Sequence, residues 1–559
     1  MRLFYLCALA ALAFAQQPFD LVITGGRVID GTGSAWFYGD VAIRGDRIVR
    51  VTPAGILAGA AAKERIDARG MVVSPGFIDI QGQSQGQLLN GDGRVISKVT
   101  QGITTEILGE GSTQSPVNDR ILATITDETQ RRNAQRFTGP RAFGEWLDAM
   151  QAHGMSVNVG SFVGATTLRM YGKGMAQGVP TAAELDDMRG ALKRAMEDGA
   201  FGMASALIYP PGEYTTTREL VELAKVMSPY GGVYITHMRS EADRLLEAID
   251  EAIEIGRGGP VGVEIYHLKA AGMANWPKMA QAIAKIDAAR RAGVDVSADM
   301  YPYVAGGTGL TVCLPPWASA DGKLFDNLKD PQIRARIKDE SLGNQKEWEN
   351  ICQQATPQGV LVARMVRPEN QKYAGKRLSE IAEMMGQNNP GMTWADAAMD
   401  LISSERSRVE TMFFIASEDN LKLQLRQPWI KFGTDASGLD PAMARGLAHP
   451  RAYGNFPRVL GKYVRDEQVI PLEDAIRKMT SAVANRLSLQ DRGLLREGMF
   501  ADLVIFDPDK VADRATYENP HQLSVGIREV FVNGVAVVRD GKHTGAKPGR
   551  AVRGPGYQH

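Results

Sequence analysis

Two short apolar runs that each end on a histidine constrain the fold of this 559-residue chain more than any other feature. They are Gly232-Val-Tyr-Ile-Thr-His237 and Val261-Gly-Val-Glu-Ile-Tyr-His267. Buried parallel strands have continuous apolar sequences, and in a barrel the residues at their carboxyl ends face the open mouth. The segment between the two runs, 241–256, has the apolar period of an amphipathic helix. Both histidines therefore belong to one β-α-β unit.

Two imidazoles at neighbouring strand ends can hold one metal ion. Imidazole nitrogen is a good zinc ligand, and a catalytic zinc takes about three protein ligands and leaves a position open for water. The alternative is that His237 and His267 are unrelated core histidines. Because the chain has only 7 histidines and these two occupy the same place in successive strands, we favour the metal site.

Composition limits the classes of partner. The length permits one large domain and a smaller one, and a hydrophobic content of 44% allows a substantial core. The chain carries 64 basic and 64 acidic residues, so its formal net charge is zero. Net charge therefore gives no reason to expect a nucleic acid or an anionic membrane as partner, and a small-molecule substrate is favoured.

The amino terminus has the pattern of a secretory signal. Arg2 precedes an uncharged run that ends at Ala15, and the run is too short to anchor the chain across a bilayer. We expect residues 1–15 to be removed and the chain to be exported to the periplasm or secreted, with no membrane anchor. The remaining cysteines, Cys313 and Cys352, can either form a disulfide or stay as two thiols, and the sequence leaves both possibilities open.

Short alternating strands separated by glycines occur at both ends of the chain, which predicts one β-rich domain from residues 16–74 and 488–559. The central body, 75–487, alternates apolar runs with helical stretches, as parallel β/α structures do. Residues from about 313 to 410 are polar and predict an insertion that forms a lid or substrate wall. Nine apolar runs compete for the eight places of a barrel, so one of the last three must lie outside it. The runs are 77–80, 104–108, 157–162, 202–208, 233–236, 261–266, 294–299, 412–416 and 430–434.

Six segments together resemble the amidohydrolase superfamily, and within it most closely the N-acyl-D-amino-acid deacylases, or D-aminoacylases. The resemblance implies an α/β fold: a (β/α)8 TIM-like barrel, a small β-sandwich domain built from both termini, and a segment inserted late in the barrel. It also implies zinc-dependent removal of an acyl group from a D-amino acid. In the family's order the segments are Val73-Ser-Pro-Gly-Phe-Ile-Asp79, Thr236-His-Met-Arg239, Tyr266-His-Leu-Lys269, Gly433-Thr-Asp435, His449-Pro-Arg451 and 491–504.

Two departures from the family pattern concern the metal. The superfamily usually carries a His-x-His pair after the first barrel strand, where this chain has Gln81 and Gln83, and glutamine amides are poor zinc ligands. D-aminoacylases generally place a cysteine ligand on the second strand, where this chain has Glu110. Some superfamily members use glutamate there. We therefore predict one tightly bound zinc held by Glu110, His237 and His267; the alternative for Glu110 is an exposed loop carboxylate.

The same resemblance implies roles for five further residues. Asp435 matches the catalytic aspartate that takes a proton from water and returns it to the leaving amine; its alternative is a helix cap. Arg451 can hold the substrate carboxylate through two parallel hydrogen bonds. Lys269, Tyr301 and Tyr303 match positions of the substrate pocket. Lys269 could instead be a solvated charge at a strand end, and Tyr303 could be core packing.

The expected function is an exported zinc-dependent hydrolase that cleaves the amide bond of N-acyl-D-amino acids to a carboxylate and a free D-amino acid. One alternative is a hydrolase of another amide, such as a D-aminoacyl dipeptide or a cyclic amide, because loops and the insertion set acyl preference. Another is a metal-depleted binding protein, which the missing histidine pair suggests. The presence of His237, His267, Asp435 and Arg451 together argues against it.

Overall fold

The computed structural model describes residues 18–343, 347–387 and 389–558. The predicted signal peptide at 1–15 lies outside the described residues. Within those residues, no helix combines the length and the apolar composition needed to cross a bilayer.

The central body is a closed parallel barrel, which confirms the predicted fold class. A three-stranded and a six-stranded sheet form the barrel. Phe162 divides the third strand into two segments, and each segment belongs to one of the sheets. The nine strand segments therefore fill eight places in the barrel. A parallel bridge between Gly82 and Ala436 joins the first strand to the last. In order around the barrel the strands are Phe77–Asp79, Ile103–Leu108, Asn158–Ser161 with Val163–Gly164, Gly202–Ala206, Val233–His237, Gly262–Ile265, Val296–Met300 and Ile430–Phe432.

The apolar run at 412–416 is the one that lies outside the barrel. Its strand, Glu410–Phe414, pairs antiparallel with Ala305–Gly309 and with Val360–Arg364 in a separate three-stranded sheet. A run of five apolar residues suits a barrel strand and a strand of a covered sheet equally well. Only the chain's tertiary pairing distinguishes the two.

Helices cover the outside of the barrel. The helix Leu245–Gly258 begins four residues after the start predicted from the apolar period, and it buries Leu245, Ile249 and Ile253 on one face, as a helix against a sheet must. Around the barrel the helices are Gln85–Leu89, Ile96–Val99, Asp119–Leu122, Glu128–Gln135, Ala142–His153, Ala165–Gly172, Ala182–Glu197, Thr217–Met227, Leu245–Gly258, Lys278–Arg291, Glu418–Leu425, Arg451–Arg458 with the π-helical continuation Val459–Asp466, Leu472–Met479 and Ser481–Arg486.

The two ends of the chain meet in one nine-stranded sheet. The connection is made where Val72–Pro75 pairs antiparallel with Leu503–Phe506. The strands are Phe19–Val28, Phe37–Arg44, Arg47–Pro53, Ala62–Asp67, Val72–Pro75, Leu503–Phe506, Ile527–Val532, Val535–Arg539 and Lys542–His543.

The insertion begins at the strand Ala305–Gly309, earlier than predicted, and has a hydrophobic core of its own. Cys313 and Cys352 form a disulfide in that core, with their Cα atoms 5.1 Å apart. The insertion is thus a folded unit packed over the barrel mouth. Its helices are Leu324–Asn327, Pro331–Leu342, Ile351–Ala355, Leu378–Gly386 and Trp394–Glu405.

Candidate metal and substrate site

A cavity of about 1230 Å³ lies between the barrel mouth and the insertion. Seven of the eight predicted site residues line it, because most of them stand at or just after the carboxyl ends of barrel strands. They are Glu110, His237, His267, Lys269, Tyr301, Asp435 and Arg451.

Glu110, His237 and His267 form a compact group whose ligand atoms all lie within 4.8 Å of one another. Glu110 Oε1 is 3.3 Å from His237 Nδ1 and 3.2 Å from His267 Nε2. A tetrahedral zinc with ligands at about 2.0–2.1 Å separates adjacent ligand atoms by about 3.3 Å. The donor set therefore suits one such ion, and both distances from Glu110 match its spacing.

The side chain of Glu110 is not an exposed loop carboxylate, since it is only 9% exposed. Its second oxygen, Oε2, accepts hydrogen bonds from Gln81 Nε2 at 2.8 Å and Gln83 Nε2 at 2.6 Å. Burial alone would raise the pKa of Glu110, but hydrogen bonds with the two histidines outweigh it and keep the pKa well below its ordinary value. The two glutamines thus orient the glutamate, leaving Oε1 free to face the histidines.

Glu241 completes the arrangement around the histidines, and it was not among the predicted site residues. Its Oε1 lies 2.9 Å from His267 Nδ1, the ring nitrogen that faces away from Glu110. A carboxylate in this position fixes the tautomer and the orientation of a metal-binding imidazole. Glu241 lies in the loop between the strand of His237 and the helix Leu245–Gly258, where no spacing marks a carboxylate as a partner of the site.

Lys269 is buried rather than solvated, so its interpretation as a solvated strand-end charge is wrong. Its Nζ donates to both oxygens of Glu241, at 2.7 and 2.9 Å, and lies 2.7 Å from His267 Nδ1. Burial would lower the pKa of Lys269, but the charge of Glu241 raises it above its ordinary value. Lys269 therefore lines the cavity as a paired cation.

Asp435 lies just beyond the last barrel strand, and its Oδ1 is 3.4 Å from Gln83 Nε2. Its backbone has a φ of 46°, in the left-handed region, and its N–H donates to Gln81 O at 2.8 Å. The next helical turn starts only at Pro441, so the helix-cap alternative is wrong. Strain of this kind in a non-glycine residue is typical of functional sites. Burial raises the pKa of Asp435, and the nearby charge of Arg451 only partly opposes the rise.

Arg451 is not a free cation, because its Nη1 is 2.7 Å from Asp435 Oδ2. Its guanidinium also stacks over the Tyr301 ring at 4.5 Å, and Nη2 donates to Gly307 O at 3.3 Å. The ion pair with Asp435 lacks hydrogen-bond geometry. Among the described residues, the buried Nε and Nη1 of Arg451 have no hydrogen-bond acceptor. A buried guanidinium with unfilled donors can bind a substrate carboxylate.

Tyr303 does not line the cavity, and the prediction that it contacts substrate is corrected. It is 3% exposed, its hydroxyl is 3.4 Å from Asp513 Oδ2, and its ring packs edge-on against His449 at 5.5 Å. It stands behind the site as core packing. Tyr209, which the sequence analysis did not single out, lines the cavity instead, with its ring 5.5 Å from that of His237.

Three arginines, Arg364, Arg408 and Arg445, lie at the outer part of the same cavity. They come from the insertion and from the loop after Asp435. Arg408 pairs with Glu410 at 3.0 Å and is 61% exposed. Asp92, Glu410 and Asp440 line the cavity as well, so its outer part carries charges of both signs.

The Amidohydrolase family model matches residues 414–538 of the chain. A D-aminoacylase from Alcaligenes xylosoxydans xylosoxydans is 34% identical over 538 residues, which cover 96% of this chain and 98% of that protein.

Two solved structures resemble the whole chain. One is a D-aminoacylase whose binuclear metal centre shows one-metal activation and second-metal attenuation; it is 33% identical, with a TM-score of 0.77 over 96% of this chain and 100% of that one. The other is the N-acyl-D-glutamate deacylase of Bordetella bronchiseptica in complex with zinc and a phosphonate that mimics the tetrahedral intermediate. It is 30% identical, with a TM-score of 0.77 and the same coverage.

Proposed function

The chain belongs to the N-acyl-D-amino-acid deacylases of the amidohydrolase superfamily and acts on linear amides, and we propose that its substrates are N-acyl-D-amino acids. One observation carries the proposal. The Glu110, His237 and His267 group and the Asp435–Arg451 pair line the same cavity. A deacylase of free acids needs both a metal site and a carboxylate-binding cation within one substrate length.

We propose that Glu110, His237 and His267 hold one zinc ion. A His2Glu set is a common catalytic zinc site, and it leaves a position for water or substrate. When bound, zinc supplies Lewis-acid activation of the carbonyl and of the attacking water. The glutamines at 81 and 83 are a reason to expect only one ion. The amides of Gln81 and Gln83 already donate to Glu110, and amide groups compete poorly with imidazole for zinc.

Asp435 is proposed to move the proton. Hydrolysis forms a bond between water oxygen and the acyl carbon, breaks the bond from that carbon to nitrogen, and transfers one proton from water to the departing amine. Amines leave poorly unless they are protonated, so one group must take the proton and return it. Burial keeps the pKa of Asp435 above its ordinary value, which makes the carboxylate a stronger base than a solvated aspartate.

Arg451 is proposed to hold the free carboxylate of the substrate. Arg451 lines the cavity, its Nε and Nη1 have no hydrogen-bond acceptor among the described residues, and stacking on the Tyr301 ring holds the guanidinium plane in place. The same contact places the substrate nitrogen next to Asp435, since the two residues are paired. An amide without a nearby carboxylate would lack this anchor.

We also propose that the chain is exported. The pattern of residues 1–15 supports this, and so does the disulfide between Cys313 and Cys352, because disulfides persist mainly in oxidising compartments.

Hydrolysis of matched N-acetyl-D and N-acetyl-L amino acids, before and after removal of metal by a chelator, tests the proposal. We expect turnover of the D series only, loss of turnover on chelation and recovery on adding zinc. Turnover of a D-aminoacyl dipeptide or a cyclic amide in preference to the N-acyl acids would favour the other hydrolase. Zinc binding without turnover of any amide would favour the binding protein.

A further inference from the structure

Glu349 of the insertion reaches back to the barrel loop that follows the strand of His237. Its Oε2 accepts three hydrogen bonds: from Ser240 Oγ at 2.7 Å, from the backbone N–H of Glu241 at 2.7 Å and from that of Ala242 at 3.1 Å. Hydrogen bonds to a charged carboxylate are roughly twice as strong as those between neutral groups. A side chain of the insertion therefore helps to fix residues 240–242, together with the bond from Ala271 N to Glu241 O at 2.7 Å.

The loop held in this way contains Glu241, which contacts the metal-site residues directly. Glu241 lies 2.9 Å from His267 Nδ1 and accepts from Lys269 Nζ at 2.7 Å. If the loop turned, the carboxylate that orients the imidazole would move with it. Groups that hydrogen-bond to a metal ligand, here called outer partners, affect the affinity of a metal site as well as its geometry.

The segment that carries Glu349 is itself held in place. Asn350 caps the helix Ile351–Ala355 by accepting from Gln353 N, and its amide donates to Ser341 O at 2.9 Å. Cys352 is joined to Cys313 by the disulfide. Glu349 does not line the catalytic cavity, so its contribution cannot come from touching substrate there.

We propose that Glu349 is a positioning residue for the metal site, which fixes the 240–242 loop so that Glu241 can orient His267 and Lys269. The inference rests on the proposed metal-dependent function. Glu349 thereby gives the insertion a second role besides forming a cavity wall, because the metal site then depends on correct docking of the insertion on the barrel.

Glu405 offers a matched control. It is also a buried glutamate of the insertion, and it holds a loop by accepting from the backbone N–H groups of Val366 at 2.9 Å and Arg367 at 3.2 Å and from the Asn370 amide at 2.7 Å. It contacts none of the metal-site residues. Glu405→Ala should therefore lower the melting temperature and leave metal binding unchanged.

The test compares zinc affinity of the full-length parent, Glu349→Ala and Glu405→Ala by competition with a chromogenic chelator. Burial and the charge of Glu241 raise the pKa of Glu349 to about 7, so the measurement is made near pH 8, where its carboxylate is charged. We expect Glu349→Ala to bind zinc about tenfold more weakly, at the lower end of the range for partners that contact a metal ligand, because Glu349 acts through Glu241. Its kcat at limiting zinc should fall with little change in KM, and excess zinc should restore it.

Parental zinc affinity in a folded Glu349→Ala overturns the proposal, and so does an equal loss in Glu405→Ala. If Glu349→Ala does not fold, Glu349→Gln is measured instead. Its amide keeps one acceptor oxygen but loses the charge. A roughly three- to tenfold loss of zinc affinity then supports the proposal, and unchanged affinity overturns it. The readout is independent of substrate. A parent that binds zinc but does not hydrolyse N-acyl-D-amino acids would refute the proposed function and leave this inference standing.

Discussion

Replacing Asp435 by asparagine isolates the proton-transfer role from the residue's other contacts. Asparagine is nearly isosteric, so the backbone bond to Gln81 O and the contact with Gln83 at 3.4 Å can persist. What disappears is the negative charge and the ability to accept a proton. We expect a large loss of turnover in a protein that still folds and still binds zinc.

The expected losses of turnover and of stability can both be estimated from the structure. Loss of a general acid–base group lowers kcat by roughly two to four orders of magnitude, which is about 3–5 kcal/mol in the barrier. The charge of Arg451 also loses its partner at 2.7 Å, and breaking a buried ion pair costs about 3–5 kcal/mol of stability when nothing else compensates. Because Arg451 keeps the Tyr301 ring and the Gly307 carbonyl, we expect a smaller loss, about 1–3 kcal/mol. Substrate can restore the missing charge, so KM should not rise.

The assay measures kcat, KM, bound zinc and melting temperature on one preparation. Asp440→Asn is the matched control, because Asp440 lines the same cavity five residues further on and pairs with Arg94 at 3.0 Å. Asparagine there can still accept from Ala442 N, so turnover should stay within about threefold of the parent. A folded, zinc-loaded Asp435→Asn with more than about a tenth of the parental kcat would refute the assignment of Asp435 as the base.

Four further outcomes are expected. Arg451→Lys keeps the charge but loses the paired donors, so KM for the free acid should rise about 10- to 100-fold while the corresponding amino-acid amide is little affected; an equal rise for both would mean that Arg451 does not bind the carboxylate. Protein purified without added metal should contain about one zinc per chain by elemental analysis, and two tight equivalents would contradict the single site. Arg364→Ser combined with Arg445→Ser should lower kcat/KM a few-fold at low salt and not at about 0.5 M, whereas a loss that salt does not remove would indicate direct contact with substrate. Turnover should fall as pH drops through the raised pKa of Asp435, because the base must be ionised, and a pH–rate profile without an acid limb would contradict this.

The barrel and its metal ligands were predictable because the information is local. A buried parallel strand needs a run of apolar residues, and a polar residue at the end of that run is readable without knowing any partner. His237 and His267 are both of this kind. The run at 412–416 shows the limit of this reasoning, since its assignment to a separate sheet depends on pairing with Ala305–Gly309, which lies more than a hundred residues earlier.

The outer partners of the site were not predictable in the same way. Glu349 acts through backbone N–H groups of a loop, and any buried carboxylate could do so without a distinctive spacing. Tyr303 was assigned to the pocket from the resemblance alone, but a tight turn through Pro302, closed by the Tyr303 N–H donating to Tyr301 O, directs its side chain towards Asp513. A motif gives the residue type at a position, whereas the side to which that residue points depends on the local backbone.

The Asp435–Arg451 pair combines both kinds of information. Each residue could be assigned a role by itself, but their contact depends on the left-handed backbone at Asp435 and on the helix that begins at Arg451. Neither feature has a distinctive sequence signal, because aspartate adopts positive φ in ordinary turns as well as in functional sites. The contact changes the chemical interpretation. In the free protein Arg451 partly offsets the burial that raises the pKa of Asp435. A substrate carboxylate that shares the guanidinium weakens this offset, so binding of the correct substrate makes the adjacent base stronger.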